Sequence, residues 1–297
     1  MHNSNAQIQA TGRRAVYADT LLWSLFPIIT ASSVGHVSPL SALALSGCVL
    51  AIALTLYTMY AHHVGELTHL TAWKYATLSS ICIDVIYYSC IFIGLTYTTP
   101  GNAAMIGLCE ILTTYFLFNI LQKQRIPQIH KIGVFVTLSG ASLILLQGFS
   151  GINWGDILIA ISICFAPVGN FFQKKAGEFA HPTSVILMRA LVALPIITTA
   201  ALLFEPASIH FTPTIIGFLL FNGILLAVSR VLWLISITDL PPIEASALSC
   251  IGTACTLFLA WIVYGTTPTG LQIAALPLIC IGVLLLSRTT HRHRRTR

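Results

Sequence analysis

Long apolar segments, separated by short turn sequences, occupy almost the whole of this 297-residue chain. A helix needs about 20 mostly apolar residues to cross a bilayer, and ten segments approach or exceed that length. They lie near residues 17–36, 40–60, 76–97, 101–120, 130–148, 155–173, 183–204, 213–237, 242–264 and 270–287. The segments are apolar on every face, whereas the strands of a membrane barrel alternate polar and apolar residues. The sequence therefore predicts an all-α polytopic membrane protein with ten transmembrane helices.

The composition excludes an ordinary soluble domain. Charged residues make up only 8% of the chain and hydrophobic residues 56%, whereas soluble domains are about 25% charged. All eight cysteines fall within apolar segments and none forms a CxxC pair. We expect them to be small reduced thiols packed in the interior, with no disulfide and no bound metal.

The distribution of basic residues predicts the orientation. Positive residues in short loops favour the cytoplasmic side. With the N-terminus inside, 13 of the 15 Lys and Arg residues fall in inside segments and none in outside loops. We therefore predict a multi-pass protein of the cell's inner membrane, with both termini cytoplasmic. The basic C-terminal tail is expected to lie near anionic lipid headgroups, and no nucleic-acid partner is expected.

An internal repeat divides the chain. The segment SGASLILL at 139–146 is similar to IGVLLLS at 281–287 with a shift of 142 residues, and the same shift places Pro100 on Pro242. Each copy then holds five helices. Because five is odd, the second copy enters the membrane from the opposite side, which is an inverted repeat. The predicted units are a cytoplasmic tail (1–16), a first repeat (17–148), an external linker (149–154), a second repeat (155–287) and a basic tail (288–297).

Three stretches carry a resemblance to a known family of membrane proteins. They are LLWSLFPII at 21–29, PTSVILMRALVALP at 182–195 and PPIEASALSCIGTACTLFLAWIVYG at 241–265. They resemble the EamA-like family of the drug/metabolite transporter superfamily. The first is similar to the first helix of the EamA unit, the second to the segment that carries an arginine early in its second helix, here Arg189, and the third to the penultimate helix of a unit. The resemblance covers about residues 17–288. It implies ten helices, cytoplasmic termini and export of small metabolites.

The chain also departs from the EamA pattern. The first copy has LSG at 45–47 where the second has Arg189, and the prolines often found within the fourth and ninth helices are absent. Gln122 stands where the fourth helix often ends in a glutamate. The resemblance therefore implies the fold more firmly than the substrate.

Four charged side chains lie inside predicted spans: Asp84, Glu110, Arg189 and Arg230. A charge at the bilayer centre costs at least about 2.5–3.5 kcal/mol, so none of them should face lipid. In one interpretation they line a water-filled central cavity that binds substrate. In the other they pair permanently and brace the helix bundle, and Arg189 is the residue for which bracing fits best.

Aromatic and amide side chains extend this candidate site. Tyr87 and Tyr88 share a helix face with Asp84, and Trp233 shares one with Arg230. Aromatic rings beside charges suit an amphiphile that carries an ammonium or carboxylate group. The remaining candidates for substrate binding are Trp23 and Asn170, and Gln173 lies one turn from Asn170. Asp19, Asp156 and Asp239 are expected to be helix-end residues, and the histidines near Glu66 a solvated loop.

The patterns favour a carrier over an enzyme. The chain has no GxxxxGK[ST], GxSxG or HExxH motif, so we expect no catalytic residues and no cofactor. We predict export of a small organic metabolite, an amino acid or related amphiphile, by alternating access, with proton coupling through Asp84 or Glu110 and a monomer or homodimer as the working unit. Two alternatives stay open: an uptake carrier or exchanger for a nucleotide-like or phosphorylated metabolite, and a membrane enzyme or scaffold that transports nothing.

Overall fold

A computed structural model of the protein describes residues 2–122, 128–145, 153–205, 212–249, 251–265 and 267–287. Within these ranges the chain is helical and contains no strand. Thirteen α-helices follow one another along the described chain: α1 His2–Val34, α2 Pro39–Tyr60, α3 Leu70–Ser80, α4 Tyr88–Gly94, α5 Pro100–Gly107, α6 Glu110–Gln122, α7 Gln128–Leu145, α8 Trp154–Ala176, α9 Pro182–Phe204, α10 Pro213–Asp239, α11 Pro242–Leu248, α12 Ile251–Tyr264 and α13 Gly270–Ser287. The all-α prediction is confirmed.

Seven helical stretches of the described chain are long and apolar enough to cross a membrane. Two further apolar helical stretches, Lys131–Gly140 and Gly270–Leu285, are shorter. The chain is therefore a multi-pass membrane protein, and the count of ten spans stays a prediction. The predicted basic tail at 288–297 and most of the predicted linker at 149–154 lie outside the described residues.

The predicted fourth and ninth helices are each divided in two. The segment predicted as one helix at 101–120 forms α5 and α6, with a turn at Leu108 and Cys109 where the Cys109 amide donates to the Ile106 carbonyl at 2.9 Å. The segment 242–264 forms α11 and α12. No proline causes either division; the first follows Gly107, which has weak helix propensity. The expectation of a continuous helix at 101–120 was wrong, whereas Glu244–Tyr264 is one candidate span.

The first helix begins much earlier than its apolar segment. Helix α1 starts at His2 and runs for 33 residues, so the polar stretch predicted as a tail at 1–16 continues the same helix. Asp19 consequently lies in the middle of α1 rather than at its end, which corrects its expected place. Its side chain is 5% exposed.

A π-helix, Ile81–Tyr87, joins α3 to α4 and carries Asp84. Short π segments within longer helices often occur at functional sites. The π-helix packs on α8 at Gly169, where a Cβ atom would collide with the Ile83 side chain. The absence of a side chain at Gly169 thus allows the two helices to approach closely beside Asp84.

The core lies between the two halves of the sequence. The most extensive contacts join α7 with α13, α1 with α10, α2 with both α9 and α10, and α3 with α8, and each of these pairs takes one helix from each half. Neither half therefore buries its apolar helix faces alone. A polar side chain in this shared interior can therefore contact groups from both halves.

Helices α2 and α9 cap each other's N-termini. The Glu205 carboxylate, just after α9, accepts hydrogen bonds from the amides of Leu40 (2.7 Å) and Ser41 (2.8 Å) in the first turn of α2. The Glu66 carboxylate, just after α2, accepts one from the His181 amide at the start of α9 (2.7 Å). A carboxylate stabilises the partly positive N-terminal end of a helix. Because each cap follows the C-terminal end of the other helix, α2 and α9 run antiparallel.

Candidate functional site

A cavity of about 160 Å³ lies between the two halves. Helices α1, α4, α5, α6, α8, α9, α10, α11 and α12 enclose it together with the π-helix. One part of its wall is apolar and aromatic. The other part carries charged and polar side chains, among them Asp19, Glu110, Asn170, Gln173, Arg189, Ser229 and Arg230.

Eight of the nine predicted site residues line this cavity. They are Trp23, Tyr87, Tyr88, Glu110, Asn170, Arg189, Arg230 and Trp233. Asp84 is the ninth and is not part of the cavity wall; it lies behind the two arginines and is 2% exposed. The structure thus brings together residues that are up to 210 positions apart in sequence, Trp23 and Trp233.

Asp84 is the shared counter-ion of two arginines. Arg189 donates from Nε to Oδ2 at 2.9 Å and from Nη2 to Oδ1 at 3.0 Å. Arg230 donates from Nη1 to Oδ1 at 2.5 Å. Paired donors from a guanidinium to a carboxylate are among the strongest charged hydrogen bonds in proteins. The three side chains form one buried ionic cluster across the π-helix, α9 and α10.

The two arginines differ in how many of their guanidinium nitrogens donate hydrogen bonds to the protein. Arg189 spends Nε and Nη2 on Asp84 and donates from Nη1 to the Gln173 carbonyl oxygen. Arg230 lies over the Tyr88 ring, 4.0 Å from its centroid, a cation–π contact. The Nε of Arg230 is buried and has no hydrogen-bond partner among the described residues. Arg230 therefore keeps a donor for another group, whereas all three nitrogens of Arg189 donate to Asp84 or Gln173.

An aromatic wall faces these charges. The Trp23 ring stacks on Phe26 with centroids 4.4 Å apart, and both rings meet Tyr88 edge-on, at 6.2 and 5.8 Å. Tyr87 meets Tyr88 edge-on at 5.1 Å. Stacked and edge-to-face rings hold each other's orientation. The cavity thus has a fixed aromatic surface next to a cation and two carboxyl groups.

A chain of hydrogen bonds connects Glu110 to the ionic cluster. Asn170 donates from Nδ2 to the Glu110 carboxyl group at 3.2 Å, and its Oδ1 accepts from Gln173 Nε2 at 2.8 Å and from Trp233 Nε1 at 3.0 Å. Gln173 in turn accepts from Arg189. Glu110 and Arg189 are therefore joined by two amide side chains that lie one turn apart on α8.

Asp19 is a site residue that sequence reasoning missed. It lines the cavity, and Ser229 on α10 donates a hydrogen bond to its carboxyl group. Among the described residues, no Lys, Arg or His forms an ion pair with Asp19 or Glu110. Asp19 stands four residues before Trp23, one helical turn away, and that spacing would have placed both on one face.

The charges of the site do not balance. Asp84, Asp19 and Glu110 supply three carboxyl groups, and Arg189 and Arg230 supply two guanidinium groups. With all five ionised, the site holds one negative charge. Uncompensated charge is costly in a low-dielectric interior, so this arrangement favours a bound proton or a ligand that carries a positive group.

No group of three potential metal ligands occurs among the described residues. The loop histidine His63 contacts Glu66 at 2.9 Å, and its ring stacks on His181 with centroids 4.5 Å apart. These histidines therefore join the α2–α3 connection to the start of α9.

Membrane-spanning helices from both halves of the chain surround an interior cavity with charged walls, a combination that is typical of helical membrane transporters. The model of the EamA-like transporter family matches residues 15–146 and again residues 153–288. The chain belongs to the EamA-like transporter family, as its resemblance had indicated.

Two further proteins are similar to this chain. The chain is 24% identical over 205 residues to the "Uncharacterized transporter YyaM" of Bacillus subtilis (strain 168), a match that covers 66% of this chain and 67% of that protein. It also shares its fold with a protein of known crystal structure, with a TM-score of 0.72, 18% sequence identity and coverage of 94% of this chain and 96% of the other.

Proposed function

We propose that the protein is a secondary carrier that exports a small organic metabolite with an ammonium group, an amino acid or a related amphiphile, by alternating access. The observation that carries this proposal is the pair of cavity carboxyl groups, Asp19 and Glu110, that have no cationic partner among the described residues. The ammonium group of a substrate would supply this missing positive charge and donate hydrogen bonds to the carboxyl groups. The aromatic wall of Trp23, Phe26 and Tyr88 suits the apolar part of such a substrate.

The same geometry disfavours a purely anionic substrate. All three nitrogens of Arg189 donate to protein groups, and Arg230 already contacts Asp84. The free Nε of Arg230 suits one carboxylate oxygen of a zwitterion better than a phosphate, whose charge the two nearby carboxyl groups would repel. Proton coupling would follow if Asp19 or Glu110 holds a proton whenever the substrate is absent.

The proposal includes ten spans in two inverted five-helix repeats, with both termini cytoplasmic. The antiparallel pair α2 and α9, capped by Glu205 and Glu66, supports an inverted relationship between the halves. Export is the direction that the resemblance to EamA-like proteins implies.

The test is counterflow in liposomes that contain the purified protein. A panel of labelled amino acids and amines is compared with phosphorylated and dicarboxylic metabolites. Asp19→Asn and Glu110→Gln are expected to reduce flux of the accepted amine about tenfold or more, since a hydrogen bond to a charged group is worth about 1.5–3 kcal/mol. Glu178→Gln, an exposed carboxylate outside the cavity, is the control and should transport normally. Flux of anions alone would overturn the proposal.

A further inference from the structure

We propose that Gln173 is a positioning residue that fixes the hydrogen-bond direction of Asn170 and thereby keeps Glu110 a hydrogen-bond acceptor. The inference deepens the proposed function, on which it rests, because it assigns the control of Glu110 to a side chain that forms no hydrogen bond with Glu110 in the described chain. The side-chain amides of Gln173 and Asn170 form a buried line of hydrogen bonds from Arg189 to Glu110, and all of these bonds run in one direction.

Gln173 is held in one orientation. Its side chain is 1% exposed, its carbonyl oxygen accepts from Arg189 Nη1 and its Nε2 donates to Asn170 Oδ1 at 2.8 Å. A guanidinium has donors and no acceptor. The oxygen of Gln173 must therefore face Arg189, and its nitrogen must face Asn170.

A second donor fixes the orientation of the Asn170 amide in the same way. The indole nitrogen of Trp233 donates to Asn170 Oδ1 at 3.0 Å, and an indole N–H cannot accept. Gln173 and Trp233 lie on different helices, α8 and α10, and both require the Asn170 oxygen on their side. Only the amide nitrogen of Asn170 is left for Glu110, to which it donates at 3.2 Å.

The consequence reaches Glu110. A carboxylate accepts this hydrogen bond without cost, while a proton on the same oxygen would oppose the Asn170 donor. Chains of hydrogen bonds polarise one another in a low-dielectric interior, so the donor-only character of Arg189 is transmitted through two amides. The other titratable groups on the cavity wall are Asp19 on α1, Tyr87 and Tyr88 beside Asp84, and Arg230 on α10. None of these contacts Asn170 by a hydrogen bond in the described chain.

The decisive variant is Gln173→Glu. A glutamate at this position still accepts from Arg189 but cannot donate to Asn170 when ionised. The ionised side chain at position 173 repels the Asn170 oxygen, and of the two donors that fixed this oxygen only Trp233 is left. When the amide of Asn170 turns, its oxygen faces Glu110, which favours the protonated acid. We expect the pH of half-maximal transport to rise by about one unit, the equivalent of roughly one hydrogen bond. Gln128→Glu makes the same chemical change at the exposed start of α7 and should leave the profile unchanged.

A second measurement does not depend on transport. The infrared band of protonated carboxyl groups, titrated with pH in the purified protein, should persist to a higher pH in Gln173→Glu than in the natural protein. Addition of Glu110→Gln should remove the extra signal. Should Gln173→Glu fail to fold, Trp233→Phe deletes the other donor to Asn170 and is expected to move the band in the same direction by a smaller amount.

The outcomes separate the two proposals. If the folded variants show the band and the transport profile of the natural protein, the positioning role of Gln173 is overturned. If the band moves as expected while the natural protein transports no amine, the positioning role stands and the proposed substrate fails. If the band moves but Glu110→Gln does not remove it, the responding acid is another group and the inference is wrong.

Discussion

Arg189 and Asp84 form a two-point ion pair in the interior of the bundle, with N–O distances of 2.9 and 3.0 Å and side chains that are each 2% exposed. Arg230 adds a third bond to the same carboxylate. The pair joins the π-helix to α9, which means that it links the first half of the chain to the second. Asp84 therefore holds two positive charges that have no other carboxylate within ion-pair distance among the described residues.

Removal of Asp84 should cost more stability than its neutralisation. Asp84→Ala leaves two buried guanidinium groups unpaired, and loss of one partner of a buried ion pair typically costs about 3–5 kcal/mol. Asp84→Asn keeps one acceptor oxygen and should be destabilised less, with insertion retained and transport reduced. Thermal unfolding of the purified variants in detergent measures the difference. Glu178→Ala, an exposed carboxylate, is the control, and an Asp84→Ala protein as stable as this control would contradict the bracing role.

The predictable part of the site follows from the cost of charge in hydrocarbon. Glu110, Arg189 and Arg230 stand inside apolar segments, so a shared polar interior was the only environment that could hold them. Helical spacing also placed Trp233 on the face of Arg230 and Tyr88 on the face of Asp84. All of these residues except Asp84 line one cavity.

Three features of the site could not be predicted from the residue types alone. Asp19 was assigned to a helix end because residues 2–16 are polar, and the structure continues α1 through them. Nothing in ICIDVIY distinguishes a π-helix from an α-helix, yet the π-helix sets the direction in which Asp84 points. The division at Cys109 needs no proline.

At each end of the bundle, polar side chains hold an element of the first half to a helix of the second half, and we call each of these contacts a latch. Arg13 on α1 pairs with Glu244 on α11, Nη2 to Oε1 at 2.9 Å, and both side chains are partly exposed. At the other end, Asp156 on α8 accepts hydrogen bonds from Thr98 and Asn102. The shift of 142 residues places Asn102 on Glu244 and Asp156 next to the position of Arg13. Exposed ion pairs are worth about 0–1 kcal/mol, so the Arg13 latch is the easier one to open.

We predict that Arg13→Glu opens the cavity towards the end that carries the N-terminus. The reporter is a cysteine introduced at Ser249, on the cavity wall, in a background without the native cysteines. Its reaction with a membrane-impermeant thiol reagent should become severalfold faster in Arg13→Glu, because like charges then repel at the latch. The double variant Arg13→Glu with Glu244→Arg restores the pair and should restore the slow rate. Equal rates in the single and double variants would show that this ion pair does not control access.

The protein should lose stability in acid because protonation of Glu66 weakens the cap that its carboxylate provides for α9. Burial raises the pKa of Glu66, but the hydrogen bond from the His181 amide and the contact with His63 outweigh it, so that the pKa lies below its ordinary value. Burial and the neighbouring His63 lower the pKa of His181, against the opposite effect of Glu66. The folded protein therefore disfavours a proton at both positions.

The sign of the effect is the same for both groups. A lowered histidine pKa means that the unfolded chain takes up the proton first, so stability falls as the pH drops below about 6.5. A lowered carboxyl pKa adds a further loss below about pH 4. Unfolding temperatures measured across this range should fall on acidification, and Glu66→Gln should reduce the loss at the lowest pH. Glu178→Gln is the matched control, since a similar reduction there would mean that any lost carboxylate has this effect.

Two glycines of α10 should respond in opposite ways to the same substitution. A Cβ atom at Gly223 would lie 2.5 Å from Val49 Cβ and 2.7 Å from the Ser46 carbonyl oxygen, both on α2, whereas a Cβ at Gly217 meets nothing within 4 Å. Overpacking of this kind costs about 1–3 kcal/mol, so Gly223→Ala should lower the unfolding temperature and separate α2 from α10. Gly217→Ala gains helix propensity, worth up to about 1 kcal/mol, and should be neutral or stabilising. Since α2 belongs to the first half and α10 to the second, equal stability of the two variants would show that close contact between the halves is not required at this crossing.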